Sequence, residues 1–217
     1  MKEFFQGMFQ KKRFARRFIA VVLAVIAMGF SVSWLVLLNM GADPCSSFNI
    51  AMAARLGMSV GTWQVLFYAF LLIAVLLFGR QEIGIGTIAN MILVGYSLQF
   101  FSWLWPKVLN LEILEPITVR VAVLIPTLIL FVLAVAVYID VELGTSPYDA
   151  IPNIIAGRQK RLPFRAVRIC YDLLFVVLAY LLGARIGVVT VLLGFLFGPA
   201  ITYVGKKIAP FFEIEAK

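Results

Sequence analysis

Several stretches of about twenty residues contain hardly any charge, and they restrict the chain to a small set of folds. Residues 18–38 and residues 61–79 hold no charged side chain at all. A helix needs about 20 consecutive apolar residues to cross a hydrocarbon core of roughly 30 Å. Six stretches meet this requirement: 18–38, 61–79, 83–105, 121–139, 169–184 and 186–205. The sequence therefore predicts an all-α polytopic membrane protein with six transmembrane helices.

The composition excludes most soluble classes. Of 217 residues, 63% are hydrophobic and 14% are charged, whereas roughly 25% of the residues of ordinary soluble domains are charged. So few charges cannot cover the surface of a soluble globule. A cytosolic enzyme and a disordered chain are thus excluded, and the two cysteines are too few for a secreted disulfide scaffold.

The basic residues indicate how the spans are oriented. With six spans and a cytoplasmic amino terminus, only four of the 19 basic residues lie outside: Arg55, Lys107, Arg120 and Arg185. Such a bias is what the positive-inside rule expects. We therefore expect a multi-pass membrane protein with both termini in the cytoplasm. Nucleic-acid binding is not expected, because the basic residues flank spans.

The amino-terminal segment, residues 1–17, has two interpretations. Its aromatic and apolar side chains precede a basic run, which fits an interfacial helix held at anionic lipid headgroups; the alternative is a basic tail that only fixes orientation. The apolar run that follows is too long for a signal peptide and lacks a cleavage site, so it is interpreted as the first span. Residues 206–217 are predicted to form a cytoplasmic tail.

The two halves of the chain superimpose at an offset of 103 residues. This offset carries Gly41-Ala-Asp-Pro44 onto Gly144-Thr-Ser-Pro147 and matches Gly84 with Gly187. Glycine and proline matches weigh more than apolar ones, because these residues mark backbone geometry. The chain is thus divided into a first repeat at 18–105, a linker at 106–116 and a second repeat at 117–205.

Each repeat contains one segment too short to cross the membrane, at 44–56 and at 147–156. At 1.5 Å per residue these helices are about 20 and 15 Å long. Asp43 and Ser146 are the expected N-caps, and Pro44 and Pro147 occupy the tolerated first helical position. Gly57 and Gly157 stand where left-handed C-caps would fall. The sequence leaves open whether these helices are re-entrant or lie flat in the interface.

The number of spans per repeat determines the relation between the halves. Three crossings are an odd number, so the second half enters the membrane from the opposite side and the repeats are inverted. Inverted repeats with interrupted helices are common in secondary transporters, which bind substrate near the midplane at the interface of the repeats. The alternative is a duplication without such a site.

Several motifs resemble one known family. They are Ile83-Gly-Ile-Gly-Thr87, the segment Glu142-Leu-Gly-Thr-Ser-Pro-Tyr-Asp149, and the spacing of Arg165, Arg168 and Asp172. Over about residues 18 to 205 the chain resembles the YczE/YyaS/YitT family of bacterial integral membrane proteins. The resemblance implies a permease-like role and a location in the bacterial inner membrane, and it supplies no substrate. One departure is that the acid after the proline, Asp149, is Ser46 in the first half.

Polar groups at membrane depth are costly, so each is a candidate for substrate or ion binding. Asp172 stands four residues after Arg168, which allows an ion pair on one helix face; its alternative role is to couple transport to H⁺ or Na⁺. The full set of candidates is Asp43, Pro44, Ser46, Thr87, Asn90, Ser146, Pro147, Asp149, Asp172 and Thr190.

Two further groups of residues have roles suggested by the repeat. Thr87, Asn90 and Thr190 would form a polar ring if the repeats meet at a two-fold axis, or serve as contacts between spans. Four glycines are expected where backbones approach closely: Gly41, Gly84, Gly144 and Gly187.

Catalysis is not expected. The chain contains no histidine, which removes the commonest general base and metal ligand. Its two cysteines, Cys45 and Cys170, fall on opposite sides of the predicted membrane, and no Gly-rich phosphate loop occurs. We expect no catalytic residue, metal or cofactor.

The favoured function is a secondary transporter or permease for a small solute, with its site between the repeats. One alternative is a substrate-binding membrane subunit of an ATPase-driven transporter, and another is a structural or regulatory membrane protein without transport activity. Expected partners are membrane lipid, the solute, a coupling ion, and either further copies of the chain or a partner subunit.

Overall fold

The computed structural model describes residues 14–159 and 161–208, and every regular element in these ranges is helical. The predicted interfacial segment and the end of the tail therefore fall largely outside the described residues. The eight α-helices are α1 (Phe14–Leu38), α2 (Pro44–Leu56), α3 (Val60–Phe78), α4 (Ile85–Val108), α5 (Ile117–Asp140), α6 (Pro147–Arg158), α7 (Phe164–Leu181) and α8 (Val188–Ile208). Short 3₁₀ turns lie at Arg80–Glu82 and Leu111–Leu114.

Four helices, namely α1, α3, α4 and α5, are long and apolar enough to cross a membrane unaided. Helix α8 adds a fifth crossing if its two segments, which meet at 61°, are taken as one span. Helix α7 is not in this set, because its 18 residues include Arg165, Arg168 and Asp172. By length and composition the described residues thus give four or five spans, against six predicted.

Helix α1 packs against both α4 and α5 and is the most buried of the four spanning helices. Its residues Val25, Val32 and Leu35 are fully or almost fully buried. The outer helices expose large apolar side chains instead, with Phe70 at 70% and Leu181 at 69% of their maximal exposure. An outer surface of this kind suits hydrocarbon and not water.

The two short helices pack across the halves of the chain, α2 against α7 and α6 against α3. Both begin buried, at Pro44 and Pro147, and both end exposed, at Arg55 and Arg158. Helix α3 begins just after α2 ends, and its last residue, Phe78, accepts a hydrogen bond from Arg158 Nη2 at 3.4 Å. The 19 residues of α3 span about 28 Å, so the exposed ends of α2 and α6 lie at opposite ends of the molecule. We call these the Arg55 end and the Arg158 end.

The C-cap prediction is confirmed for Gly57 and wrong for Gly157. Gly57 has φ of 63°, the left-handed conformation that glycine tolerates. Helix α6 instead continues through Gly157 to Arg158 and is capped by Gln159, whose N–H donates to the Ile155 carbonyl. The ordinary helical hydrogen bond therefore persists past Gly157, and no left-handed residue is needed. The predicted end of this helix at residue 156 is two residues too early.

Candidate functional site

The buried amino ends of α2 and α6 are capped as the sequence predicts. Asp43 Oδ1 accepts the Ser46 N–H at 3.0 Å. Ser146 Oγ accepts the Asp149 N–H at 3.0 Å and donates to Asp149 Oδ2 at 2.6 Å. These bonds satisfy N–H groups that have no partner within the helix. The Asp43 carboxylate and the Ser146 hydroxyl thus occupy donors that an anion would need there.

The same two ends meet in the interior. Cys45 and Tyr148, which occupy equivalent positions at the offset of 103, belong to one apolar cluster with Tyr68 and Phe175. The ring of Phe175 lies 4.9 Å from that of Tyr148, and Cys45 Sγ is hydrogen-bonded to Tyr68 Oη at 3.2 Å. Phe175 of α7 also lies 5.1 Å from Phe48 of α2, so this ring packs against residues of both short helices.

Beside this contact lies a charged triad formed by Asp149, Arg168 and Asp172. Arg168 Nη1 donates to Asp149 Oδ1 at 2.6 Å, and its Nε donates to Asp172 Oδ2 at 2.9 Å. Tyr148 Oη donates to Asp172 Oδ1 at 2.8 Å. The predicted pairing of Arg168 with Asp172 is confirmed, and a second acid shares the same guanidinium. Asp43 lies within electrostatic range of both acids.

The triad belongs to one half of the chain alone. At the offset of 103, the positions equivalent to Asp149, Arg168 and Asp172 are Ser46, Val65 and Ala69. Two acids share one arginine, so the triad carries a negative charge when all three groups are ionised. Asp172 is the buried member, whereas Arg168 and Asp149 are partly exposed, and Asp149 lies in the first turn of α6, where the helix dipole favours a negative charge.

Backbone contacts near the centre occur in pairs separated by the same offset. The Gly86 N–H donates to the Leu143 carbonyl at 2.7 Å, and the Val189 N–H donates to the Met40 carbonyl at 3.2 Å. Gly86 and Val189 occupy equivalent positions in the two halves, and so do Met40 and Leu143. The two bonds are therefore the same interaction with the halves exchanged. Each half therefore holds the loop of the other half by the same interaction.

The four predicted glycines lie at these crossings. A side chain on Gly84 would overlap the Leu143 carbonyl, and one on Gly187 would overlap the Met40 carbonyl. Gly41 and Gly144 have φ of 97° and 108°, a region that disfavours other residues. The expectation that backbones approach closely at these glycines is confirmed.

Thr87 lies against Gly144 and Thr190 lies against Gly41, and the two threonines are not hydrogen-bonded to each other as members of the predicted ring. Thr87 Oγ1 accepts the Gly84 N–H at 2.9 Å and so helps to begin α4. Thr190 faces Gly41, and its hydroxyl has no hydrogen-bond partner among the described residues. Asn90 is buried as expected. Within the part of the chain that the structure covers, no hydrogen bond joins the two threonines.

A large cavity of about 410 Å³ opens at the Arg55 end. It lies between the end of α1, one side of α2 and the loop after α7, and its lining includes Asn39, Gly41, Ser47, Arg55 and Arg185. A small cavity of about 70 Å³ lies between α7 and α8 and is lined by Asp172 and Thr190. Gly41 lines the large cavity and touches Thr190 of the small one, so these two residues form the wall between the cavities.

At the Arg158 end, the residues equivalent to the lining of the large cavity are packed together. Glu82 Oε2 accepts hydrogen bonds from Thr145 Oγ1 at 2.7 Å and from Asn153 Nδ2 at 3.1 Å. The side chain of Ile154 lies directly against Gly79. At the offset of 103 these residues correspond to Arg185, Ala42, Ile50, Ala51 and Leu182, all of which line the large cavity. We call Glu82, Thr145 and Asn153 the Glu82 latch.

Sequence reasoning missed the large cavity and the latch. Glu82 lies between the predicted spans 61–79 and 83–105 and is not among the predicted site residues, although the offset of 103 sets it against Arg185. Tyr148 was also missed, because an aromatic residue in an apolar chain gives no signal by itself. No group of three or more Cys, Asp or Glu side chains in the described ranges is placed to hold a metal ion.

Comparisons with known proteins agree with the resemblance described above. The chain is 27% identical over 159 residues to the "Uncharacterized membrane protein YczE" of Bacillus subtilis, covering 73% of this chain and 71% of that protein. It is 26% identical over 172 residues to the "Uncharacterized protein YyaS" of the same organism, covering 78% of this chain and 83% of the relative. No solved structure gives a significant match.

The apolar outer surface, the spanning helices and the relative described as a membrane protein together support a location in a membrane. A family of unknown function, DUF6198, matches residues 15–206, which is nearly the whole described range. The chain therefore belongs to the DUF6198 family, with YczE and YyaS among its relatives.

Proposed function

We propose that this protein is a secondary transporter that moves a small solute between two inverted repeats by alternating access. The repeats are residues 18–105 and 117–205, and α7 and α8 complete six crossings. The paired hydrogen bonds, Gly86 to Leu143 and Val189 to Met40, support this arrangement, because a two-fold axis between the repeats produces such an exchange.

The charges of α7 are compatible with a crossing. Arg168 and Asp172 are paired with each other, and Arg168 is paired with Asp149, so these two charges are compensated within the protein. Arg165 lies in the first turn of α7, at the end of the span, where a long basic side chain reaches the membrane interface. The bend in α8 resembles the broken helices common in transporters. Helices α2 and α6 are re-entrant in this proposal, since their amino ends are buried and their carboxyl ends emerge at opposite ends of the molecule.

The observation that carries the proposal is the difference between the two ends. The Arg55 end has the large cavity, whereas the equivalent residues at the Arg158 end are packed together by the Glu82 latch. In inverted repeats, exchanging the conformations of the two halves would close one end and open the other. The structure then represents a state open at the Arg55 end, which the positive-inside rule places outside the cell.

In this mechanism a solute entering the large cavity reaches the wall formed by Gly41 and Thr190, with Asp172 behind it. Asp172 is the proposed site of the coupling ion, H⁺ or Na⁺. Binding of a cation there compensates the negative charge of the triad and weakens the hold of Arg168 on Asp172. No covalent chemistry is required of the protein.

The test is uptake into proteoliposomes made with the purified full chain. A panel of radiolabelled metabolites would be offered with a proton gradient, with a sodium gradient and with neither. We expect gradient-dependent uptake of at least one class, lost in Asp172→Asn and retained in the control variant Glu115→Gln, which changes an exposed acid outside the cavities. Absence of uptake for every class and gradient would reject the proposal.

A further inference from the structure

The lining of the large cavity has an unusual charge for its position. It contains two arginines, Arg55 and Arg185, and no acidic residue. Among the described residues, neither guanidinium forms a salt bridge or a side-chain hydrogen bond. The cavity thus presents two positive charges that the protein itself does not neutralise.

Neither topology nor the repeat explains this charge. In the proposed orientation the outer side is poor in basic residues, yet two of its four converge on one cavity from distant parts of the chain. Arg55 has an arginine, Arg158, at the equivalent position in the other half, but Arg185 corresponds to Glu82. A basic residue at position 185 is therefore a feature of this cavity and not of the repeat.

Two guanidinium groups favour a particular ligand chemistry. The planar guanidinium binds carboxylate and phosphate oxygens through two parallel hydrogen bonds. A volume of about 410 Å³ is in the range of pockets that hold small organic molecules. Asn39 lines the same cavity and offers an amide for further polar contacts.

We propose that the large cavity binds a small anion through a carboxylate or phosphate group held by Arg55 and Arg185. The inference that this anion is the transported solute rests on the proposed function. The inference that the cavity binds an anion is independent of it. Ligands that are neutral or cationic are disfavoured there, because they leave both arginines uncompensated.

Binding is measured on the full chain in neutral detergent, by thermal shift and by equilibrium titration. The probes are inorganic phosphate, acetate, succinate, citrate and glutamate, with choline and putrescine as cationic counterparts. The variants are Arg55→Gln, Arg185→Gln and Arg185→Lys, and the matched control is Lys107→Gln, an exposed cation outside the cavity.

We expect at least one anion to raise the melting temperature and to bind at least tenfold more weakly to each glutamine variant. Arg185→Lys retains part of the affinity, and Lys107→Gln leaves it unchanged. Stabilisation by the cations alone, or anion binding that does not respond to either arginine, overturns the proposal.

A lipid headgroup carries the same phosphate chemistry, so a second arm uses nanodiscs with and without phosphatidylglycerol. If only this lipid binds through the arginines and no soluble anion competes, the anion site stands and its use for a soluble solute is rejected. Anion binding without uptake supports the site while refuting transport. Uptake that is unchanged when either arginine is replaced supports transport while refuting the anion site.

Discussion

The Glu82 latch gives the sharpest test of alternating access, because it holds the Arg158 end closed by a few bonds. Glu82 Oε2 accepts two side-chain hydrogen bonds, from Thr145 at 2.7 Å and from Asn153 at 3.1 Å. Hydrogen bonds to a charged group contribute about 1.5–3 kcal/mol each. Because Glu82 is partly exposed, we take about 2–3 kcal/mol for the pair together.

Removing the carboxylate in Glu82→Ala destabilises the closed Arg158 end by that amount and leaves the open state unaffected. Since about 1.4 kcal/mol corresponds to a factor of ten, the ratio of closed to open protein falls by about 30- to 150-fold. The quantity to be measured is therefore the change in the ratio of closed to open protein at the Arg158 end.

The assay is the rate at which a hydrophilic maleimide labels an introduced cysteine in a Cys170→Ser background, which removes the exposed native thiol and keeps only the buried Cys45. Ser47→Cys reports the large cavity, and Ala150→Cys reports the equivalent buried position beneath the latch. We expect Ser47→Cys to be labelled and Ala150→Cys to be protected. Adding Glu82→Ala should raise the labelling rate of Ala150→Cys at least tenfold, whereas Glu115→Ala should not.

Two results would refute the reasoning. An unchanged rate at Ala150→Cys means that Glu82 does not keep this end closed. A rise at both cysteines together means that the substitution loosens the whole fold, and not that it shifts a population from one open end to the other.

Three more predictions follow from the site. Gly187→Ala places a methyl group against the Met40 carbonyl and should strongly lower the melting temperature measured in detergent. The control Gly157→Ala has open space around it and should leave the melting temperature unchanged. Equal melting temperatures for the two variants would contradict the close approach of Gly187 to Met40. Asp43→Ala removes an N-cap and should lower the free energy of unfolding by about 1 kcal/mol. Asp43→Asn keeps the cap and should cost little. A large loss of stability in the asparagine variant would show that the charge itself is needed. Tyr148→Phe removes the hydrogen bond to the buried Asp172 carboxylate and should cost about 1.5–3 kcal/mol, measured by denaturant titration; no loss would mean that this bond does not stabilise the fold.

Local chemistry made part of this site predictable. The caps at Asp43 and Ser146 and the pair of Arg168 with Asp172 depend on residues three or four positions apart, so their spacing in the sequence is enough. The close glycines followed from the constant offset, because glycine at equivalent positions signals a backbone requirement. The prediction of a C-cap at Gly157 was wrong, because a glycine late in a helix can continue the helix as well as end it.

The remaining features depend on distances that no local pattern encodes. The contact of Asp149 with Arg168 requires α6 to lie beside α7, and the latch requires Glu82 to meet Asn153 across the bundle. The number of crossings stayed ambiguous for a related reason. A charged helix such as α7 becomes compatible with lipid only through partners on other helices, so its own composition does not decide the matter.

The crossed packing of the short helices also constrains how the chain is made. Helix α2 is complete long before α7, against which it packs, has been synthesised, and the loop at Met40 receives its partner Val189 only when α8 has been made. Until then the polar amino end of α2 lacks its native surroundings. The first half therefore completes its native contacts only after α7 and α8 have been synthesised.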